Sequence, residues 1–352
     1  MNIITSAPAR LRVTHAECEG ALIRFRFDPA AGDASADDPL LIPCAHLAGP
    51  GTGEFWCADA VSESAETCGA AWAHGEDYAM VAVSVAEEDG VDIERAAELA
   101  YERLITCVRP SEHPFLVRIW NYFSAINEGE GDGERYRRFC VGRARGVDGR
   151  FNDPPPAATA IGASRATGQL QVIALCSRTP AIALENPRQT PAWRYPREFG
   201  PVSPGFSRAS LLDADSQSPR LLASGTASIV GHVSRHVDDV DAQLVESLAN
   251  LEALLTEGSA SAKREFSLAN CEALRVYLRH PEDLPRAQRV ILASSLPAER
   301  VVYLHGEVCR RELSVELEAC SSRATSRRFP PRPARGRSVG PTSAARDRCS
   351  KQ

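Results

Sequence analysis

A thiol and three carboxylates lie close together near the end of the chain. The segment 305–319, HGEVCRRELSVELEA, places Cys309 ahead of Glu312, Glu316 and Glu318. A carboxyl group that is buried away from water has its charged form disfavoured, so its pKa rises and it can donate a proton near pH 7. The segment is therefore a candidate for general acid catalysis with a thiol beside the acid.

The chain must turn between the thiol and the acid for the two to meet. In an uninterrupted strand, residues of equal parity share a face, so Cys309 and Glu316 would point in opposite directions. The intervening CRRE suits a turn, because two adjacent arginines fit a turn better than a buried strand. It would separate a strand over 301–308 from one over 313–319. The alternative is one strand with a solvated glutamate face, the commonest meaning of such alternation.

Basic and aromatic residues cluster together in three segments, 122–138, 193–208 and 310–316. Arginine pairs bidentately with carboxylates, so these clusters would suit a small ring-shaped dicarboxylate. The middle cluster belongs to a proline-rich loop over 186–208. Long loops in compact domains are usually functional, but this one could also be a proline-braced cover over the core. For the arginines of 135–140, RYRRFC, the alternative is a basic surface turn.

Other catalytic signatures are absent from the sequence, which has no GxSxG, P-loop, GxGxxG or HExxH motif. His232 and His236 are four positions apart but have no third ligand in view, so no metal is expected. The eleven cysteines form no CxxC pair. We expect free thiols, most of them small core residues, rather than a disulfide framework.

Composition and charge narrow the class of protein. The 352 residues, 43% hydrophobic and 24% charged, are typical of a soluble globular chain of one or two domains. The net charge of −6 argues against nucleic acid as a partner. No apolar run approaches the roughly 20 residues of a membrane span, and the N-terminus lacks the pattern of a secretory signal. We therefore expect a cytoplasmic protein with no membrane partner.

The elements that must position these residues follow one plan twice. The first copy is a strand, a helix and a strand over 78–85, 93–107 and 115–123. The second copy is a strand over 223–233, a helix from Val240 to about Gly258 and a strand over 273–280. The pattern predicts an α+β fold of mixed sheets with helices packed on one face, duplicated within the chain.

Domain boundaries are predicted from composition. The three prolines that open 154–163, PPPAATAIGA, cannot sit in a central strand and mark a seam. It divides an N-terminal subdomain, 1–153, from a C-terminal catalytic subdomain, 154–320, which contains a further strand over 168–177. Residues 321–352 are rich in Arg, Ser and Pro and are predicted to be a disordered basic tail.

Long segments of the chain resemble the chorismatases, in the order in which that family has them. These segments are RIWNYFSAINEGEGDGERYRRFCVGRA, PPPAATAIG, NPRQTPAWRYPREFGPVSPGFSRA, ASGTASIVGH and YLHGEVCRRELSVELEA. The likeness covers roughly residues 75 to 320 and is greatest to the branch that forms hydroxybenzoate. The C-terminal half also resembles the YjgF/RidA fold, which chorismatases share.

The resemblance implies roles for individual residues. Glu316 matches the catalytic glutamate that protonates the enolpyruvyl group of chorismate, and Cys309 matches a cysteine that steers an arene-oxide-like intermediate toward the aromatic product. No cofactor is implied. The residues implied in substrate binding are Tyr122, Arg135, Arg138, Tyr195, Arg208, Gly225, Thr226 and Ala227.

The implied reaction converts chorismate into pyruvate and 3-hydroxybenzoate, with 4-hydroxybenzoate as a second product, for pigment and ubiquinone precursor supply. RidA proteins are trimers, but a duplicated chain can satisfy the same contacts alone, so a monomer and a homotrimer both stay open. Two rival functions also stay open: an imine or enamine deaminase of the RidA type, and a non-catalytic ligand-binding protein of the same fold.

Overall fold

The computed structural model describes residues 11–18, 20–28, 41–51, 53–59, 61, 65–67, 69–149 and 154–322. The strands before the first helix are β1 (Arg12–Thr14), β2 (Ala21–Asp28), β3 (Leu41–Ala48), β4 (Gly53–Cys57), β5 (Ala65–Thr67), β6 (Ala70–His74) and β7 (Tyr78–Ala86). The elements that follow are α1 (Ile93–Val108), β8 (Phe115–Ser124), α2 (Arg135–Val147), β9 (Ala157–Ala163) and β10 (Gln169–Ser177).

The second half of the chain begins with short strands. They are β11 (Ile182–Leu184), β12 (Ala209–Leu212), β13 (Arg220–Ala223), β14 (Thr226–Ala227), β15 (Ile229–Val230) and β16 (Val233–Ser234). The remaining elements are α3 (Val240–Ala262), β17 (Cys271–Leu278), α4 (Leu284–Ala293), β18 (Val301–His305) and β19 (Val315–Ser322).

Two mixed sheets contain most of the strands. The six-stranded sheet has the order β5-β6-β7-β10-β8-β9, and the eleven-stranded sheet has the order β1-β4-β2-β3-β18-β17-β19-β13-β12-β11, with β14 also paired to β19. The sheets cross the predicted boundary at residue 153, because β9 and β10 pair with earlier strands and β3 pairs with β18. The division into two subdomains stays a prediction.

The predicted internal repeat is present in the topology. In the six-stranded sheet, β10 lies between β7 and β8 and is antiparallel to both, while β9 runs parallel to β8. In the large sheet, β19 lies between β13 and β17 and is antiparallel to both, while β18 runs parallel to β17. Helices α1 and α2 therefore correspond in chain order to α3 and α4.

The two sheets pack face to face, and each carries its helices on the outer face. Phe25, Trp120 and Tyr277 belong to the apolar cluster between the sheets. A second cluster joins α3 and α4 to the large sheet, and a third joins α1 and α2 to the six-stranded sheet. The predicted α+β fold, with helices on one face of each mixed sheet, is thereby confirmed.

Most predicted elements agree with the structure to within a few residues, and the helix near 240 is longer than predicted. Asp239 caps α3 by accepting a hydrogen bond from the amide of Ala242 at 3.1 Å. Gly258 does not end this helix. A Cβ atom there would lie 2.3 Å from Leu221, so the glycine lets the helix pack closely on the sheet.

Two other predictions are corrected. The proposed seam contains β9, because its prolines precede the strand and leave Ala157–Ala163 free to pair beside β8. The single strand predicted over 223–233 is broken into short pieces, with Gly231 in the left-handed region at φ +63°. Ser321 and Ser322, assigned to the tail, complete β19; the rest of the predicted tail lies outside the described residues, as does the acidic loop at 32–38.

One cysteine pair contradicts the expectation of free thiols throughout. Cys18 and Cys57 form a disulfide across 39 residues of sequence. The antiparallel pairing of β2 with β4 brings the two cysteines together, which spacing alone could not indicate. In the described ranges, Cys140, Cys176, Cys271, Cys309 and Cys320 are free thiols. None of the helices in these ranges is long and apolar enough to cross a bilayer.

Candidate active site

A cavity of about 430 Å³ opens between the two repeats. Side chains reach it from α2, from the proline-rich loop, from the segment around β14 and from the turn before β19. The described residues hold no cluster of three or more His, Cys, Asp or Glu side chains that could bind a metal ion. The chemically active groups of the cavity wall include an acid, a thiol and several arginines.

Glu316 lies at the inner end of this cavity and is only 4% exposed. Its neighbours Val315 and Leu317 pack toward the helices, so the strand alternation directs Glu316 toward the opposite sheet. Burial, reinforced by the negative charge of Glu318, raises the pKa of Glu316 to about 8, although Arg118 and Arg208 act in the other direction. The alternative of a solvated glutamate face is therefore wrong.

The predicted break before the last strand is confirmed and brings the thiol to the acid. Residues 306–314 form a turn between β18 and β19, and Cys309 lines the same cavity as Glu316. Burial and the nearby Glu316 carboxyl raise the pKa of the Cys309 thiol far above its ordinary value. The group is therefore a neutral thiol rather than a thiolate nucleophile.

The Arg279 guanidinium group holds this turn in place together with Gln243 of α3, which bonds the backbone of Glu312 and Ser314. Arg279 donates hydrogen bonds to the carbonyl oxygens of Leu313, Val308 and Arg310 at 2.9, 2.8 and 3.0 Å. It also donates to Asn127 Oδ1 at 2.9 Å, and Asn127 Nδ2 donates in turn to the Cys309 carbonyl at 3.1 Å. The position of the thiol is therefore fixed by charge-assisted hydrogen bonds from outside the turn.

Gly225 and Ala227, two of the predicted binding residues, form part of the cavity wall beside Glu316. A Cβ atom on Gly225 would lie 1.7 Å from Glu316 Oε1. The Gly225 amide donates to Thr159 Oγ1 at 2.9 Å, which fixes the backbone there. Ala227 pairs in register with Glu316 across β14 and β19. Only a residue without a side chain leaves room for the carboxyl group at position 225.

Arg208 presents an unsatisfied donor at the cavity wall. Its Nη2 donates to the Thr190 carbonyl at 2.9 Å and to the Tyr195 hydroxyl at 2.7 Å. Its Nε group is buried and has no hydrogen-bond partner. Buried polar groups of this kind are rare in folded proteins, so the Nε group is suited to receive an anionic ligand. Tyr195 and Arg208, two of the predicted binding residues, both line the cavity.

Arg310 provides a second cation beside the first. Its guanidinium group lies over the rings of Tyr195 and Phe199, at 5.2 and 4.3 Å from the ring centres. Nη1 donates to the His232 carbonyl at 2.9 Å, but the buried Nη2 has no partner. The cavity thus contains two arginines, each with an unpaired donor, as a ligand with two carboxylates would need.

Two predicted binding residues lie away from the cavity wall. Tyr122 is fully buried between the sheets, where its hydroxyl lies 3.2 Å from that of Tyr277 and accepts a hydrogen bond from Arg275 at 3.1 Å. Thr226 donates to the Ser224 carbonyl at 2.9 Å, so its hydroxyl is occupied by the backbone. Neither side chain lines the cavity that contains Glu316.

The two arginines predicted from RYRRFC also lie elsewhere. Arg135 forms a bidentate pair with Glu87 at 2.8 and 2.9 Å, and Arg138 pairs with Asp92 at 2.6 Å. Their helix neighbours Arg137 and Arg143 line the cavity instead. The phase of α2 decides which arginines face the cavity, and this helix was not predicted.

Tyr136 is a site residue that the sequence reasoning missed. It lines the cavity, and burial together with Cys140, Cys309 and Glu316 raises the pKa of its hydroxyl well above the ordinary value. Tyr136, Phe139 and Arg143 are spaced as one face of a helix, and all three line the cavity. This helical spacing is the feature of the sequence that could have indicated Tyr136 as a site residue.

Known proteins are similar to this chain over most of its length. A family model described as chorismatase FkbO/Hyg5-like, N-terminal, matches residues 54–176. A chorismatase of Streptomyces rapamycinicus is 37% identical over 273 residues, which are 75% of this chain and 80% of that protein. The chain belongs to the chorismatase family. A 3-hydroxybenzoate synthase of Streptomyces hygroscopicus is 34% identical over 75% of this chain and 80% of its own length.

A solved chorismatase structure extends the match to the fold. It superimposes with a TM-score of 0.76 and 30% identity, over 90% of this chain and 99% of its own. This chorismatase is therefore an enzyme with the family's architecture. The YjgF gene product of E. coli also matches, over 41% of this chain, but its TM-score of 0.29 is too low to carry an argument.

Proposed function

We propose that this chorismatase converts chorismate into 3-hydroxybenzoate and pyruvate, with Glu316 as the general acid. The supporting observation is a carboxyl group with a pKa of about 8, shut inside a cavity whose arginines 208 and 310 each have an unpaired donor. Such an acid holds its proton at neutral pH and can release it to a bound substrate. Two similar proteins, a chorismatase and a 3-hydroxybenzoate synthase, support this substrate and product.

The reaction begins with proton transfer to carbon. Chorismate is a dianion that carries an enolpyruvyl ether, and Glu316 donates its proton to the methylene carbon of that ether. The ether then acquires oxocarbenium character, and the bond between its oxygen and the ring carbon breaks. Pyruvate leaves with the ether oxygen and the donated proton. The neighbouring ring hydroxyl closes on the vacated carbon, which gives an arene-oxide-like intermediate.

The second stage makes the ring aromatic. The epoxide opens and the ring loses one proton from carbon and gains one on oxygen, so the atoms of chorismate equal those of hydroxybenzoate and pyruvate with no water consumed. The proton set free when the hydroxyl closes can return to the Glu316 carboxylate. The acid is then ready for the next turnover, and no external oxidant or reductant is needed.

Substrate binding follows from the two cations. Arg208 and Arg310 would each pair with one carboxylate of the dianion, because each has a buried donor without a partner. The ring of Phe199, on which Arg310 lies, limits where that guanidinium group can move. A bound dianion further opposes ionisation of Glu316, since like charges at short range disfavour each other.

We assign Cys309 the role of directing the intermediate. A neutral thiol at the cavity wall can donate weakly to oxygen and fills space beside the ring without attacking it. The ratio of 3- to 4-hydroxybenzoate would then depend on this contact, and we propose 4-hydroxybenzoate as the second product. Supply of pigment and ubiquinone precursors would follow from these two products.

The rival functions call for different sites. A deaminase of the RidA type needs one arginine for one carboxylate, whereas this cavity has two arginines with unpaired donors. A binding protein has no need for a protonated carboxyl group beside the ligand. Both rivals predict that chorismate is recovered unchanged after incubation.

The decisive experiment is incubation of the purified protein with chorismate. Pyruvate is followed by a coupled lactate dehydrogenase assay and the aromatic product by chromatography. We expect wild-type turnover and a loss of about 10² to 10⁴ in rate for Glu316→Gln, the usual span for a general acid. Glu282→Gln, on an exposed glutamate before α4, is the matched control and should turn over like wild type. Absence of pyruvate from the wild-type reaction would reject the proposal.

A further inference from the structure

A second glutamate lies on the same face of β19 as the acid and belongs to a buried ionic network. Glu318 Oε2 is 3.3 Å from Arg118 Nη2, and its Oε1 is 3.4 Å from Arg275 Nη1. Arg275 also holds Glu54 of β4 with contacts of 2.6 and 3.2 Å. All four side chains are nearly inaccessible to solvent, with residue exposures of 1 to 6%. Two carboxylates therefore face two guanidinium groups without water.

Neutral donors complete the environment of Glu318. The Trp120 indole N–H donates to Oε1, and the Tyr277 hydroxyl donates to Oε2 at 3.3 Å. The Glu318 carboxylate thus has two guanidinium partners and two neutral hydrogen-bond donors. Glu318 does not line the cavity of Glu316, so substrate cannot disturb these contacts directly. The network thus fixes one negative charge behind the cavity wall.

This fixed charge is close to the acid. Residues two apart on a strand point to the same face, with Cα atoms about 6.5 Å apart. The groups that act on Glu316 come from several elements: Glu318 of β19 opposes its ionisation, whereas Arg118 of β8 and Arg208 of the loop favour it. Cys309 and Tyr136 are neutral neighbours, since burial raises the pKa of each far above its ordinary value.

We propose that Glu318 is a positioning residue for the reaction, whose fixed negative charge keeps the Glu316 carboxyl group protonated at neutral pH. This inference rests on the proposed function. Glu54 pairs with Arg275 and so helps to hold the network together. Its strand, β4, does not line the cavity.

The sign of the effect follows from the charges. With Glu318 present, the network holds two carboxylates and two guanidinium groups and is balanced. Replacing Glu318 by glutamine removes a nearby negative charge and leaves Arg118 to act on Glu316 without its partner. Both changes favour the Glu316 carboxylate. The pKa of Glu316 should therefore fall, and the protein should lose its proton donor at a lower pH.

The test is the pH dependence of kcat for Glu318→Gln, which keeps the shape of the side chain. We expect the high-pH limb to move down by about one to two pH units, as a unit charge at this distance would produce at an effective dielectric of about 20. Activity at pH 7.5 should fall by about 3- to 25-fold, as the protonated fraction of Glu316 falls, and should recover in acidic buffer. An unmoved limb would overturn the inference.

Two comparison variants separate charge from structure. Glu54→Gln also breaks a buried pair with Arg275, so it should destabilise the fold about as much as Glu318→Gln does. Its high-pH limb should move far less than that of Glu318→Gln, because Glu54 is not among the groups that act on Glu316. Glu318→Asp keeps the negative charge, so its high-pH limb should lie close to that of the wild type. Equal shifts for Glu54→Gln and Glu318→Gln would point to a merely structural role.

A direct measurement is independent of turnover. The infrared difference spectrum between wild type and Glu316→Gln should show the C=O stretch of a protonated carboxylic acid at pH 7. As the pH is raised, Glu318→Gln should lose this band at a lower pH than the wild type does. An ionised Glu316 at pH 7 in the wild type would overturn the inference even if Glu318→Gln did not fold. If chorismate yields no pyruvate while the band behaves as expected, the proposed function fails and the coupling between the two glutamates stands.

Discussion

The Glu316 carboxyl group occupies the space that a side chain on Gly225 would need. Its Oε1 atom lies 1.7 Å from the position of a Cβ atom at residue 225, far inside any allowed contact. The glycine is therefore required by the acid rather than by backbone conformation. Glu316 on β19 and the residue just before β14 must therefore be compatible for the proton donor to fit.

Gly225→Ala should displace the acid. We expect a loss of about 1 to 3 kcal/mol of stability from overpacking and a fall in kcat of tenfold or more, because the carboxyl group must move. Thermal unfolding and the pyruvate assay measure the two effects. Gly133→Ala is the control, since a Cβ atom there meets nothing within 4 Å. Full activity of Gly225→Ala would show that the acid is free to move without cost.

Stability should depend on pH through Glu316. Its folded pKa of about 8 lies above the ordinary value of 4.5, so the folded state binds the proton more tightly than the unfolded state. Its contribution is fully present below about pH 4.5 and is lost at about 1.4 kcal/mol per pH unit up to pH 8. Urea unfolding at pH 5 and pH 8 should show that Glu316→Gln loses less stability than wild type over this range. Parallel losses would contradict a buried, protonated acid.

Cys309→Ala should alter the product and not the release of pyruvate. The thiol is neutral and does not donate the proton, so pyruvate formation should stay within a few-fold of wild type while the ratio of hydroxybenzoates changes or a dihydrodiol appears. Chromatography of the aromatic products gives the answer. Cys140→Ala removes a fully buried thiol nearby and serves as the control for cavity formation. An unchanged product profile would remove Cys309 from any steering role.

Arg279→Met should produce a similar change in products through a different cause. Loss of its hydrogen bonds to Leu313, Val308 and Arg310 frees the turn that carries the thiol. We expect a stability loss of about 2 to 4 kcal/mol, since several buried acceptors lose a charged donor. The product ratio should move toward that of Cys309→Ala. A stable turn with wild-type products would show that other contacts suffice.

Arg208→Lys and Arg310→Lys should each weaken substrate binding. A lysine cannot reproduce the geometry in which one guanidinium group bonds protein and ligand together. We expect kcat/KM to fall by about 10- to 100-fold, mostly in KM, as for loss of a charge-assisted hydrogen bond. Arg178→Lys, at an exposed pair with Glu112, is the control. Wild-type KM in both site variants would exclude them from carboxylate binding.

Local pattern was sufficient to predict part of this site. The CRRE turn and the alternation in LSVELEA predicted that Cys309 and Glu316 could share one cavity, and the helical spacing after Asp239 predicted α3. The alternation of polar and apolar residues shows that the strand has two different faces, but it does not show which face is exposed to solvent. Glu316 therefore could not be assigned to the interior from the pattern alone. That choice depends on a second sheet packed against the first.

Long-range contacts explain the errors. Arg135 and Arg138 satisfy the composition expected of a binding cluster, but the helix phase and the acids at Glu87 and Asp92 turn them away from the cavity. Tyr122 likewise is held by Arg275, 153 positions later in the sequence. The disulfide of Cys18 depended on a strand register that no spacing reveals. Each miss concerns a partner remote in sequence.

The position of β19 in the large sheet has a consequence for the order of synthesis. This strand carries the proton donor, is the last of the described elements, and must insert between β13 and β17, which already flank its place. A nascent chain that has left the ribosome only as far as β18 would contain the proline-rich loop and Arg208, but it would have an open slot where β19 and the acid belong. Activity should therefore switch on in one late step, which makes this slot a point at which a folding helper or a short mimic of β19 could intervene.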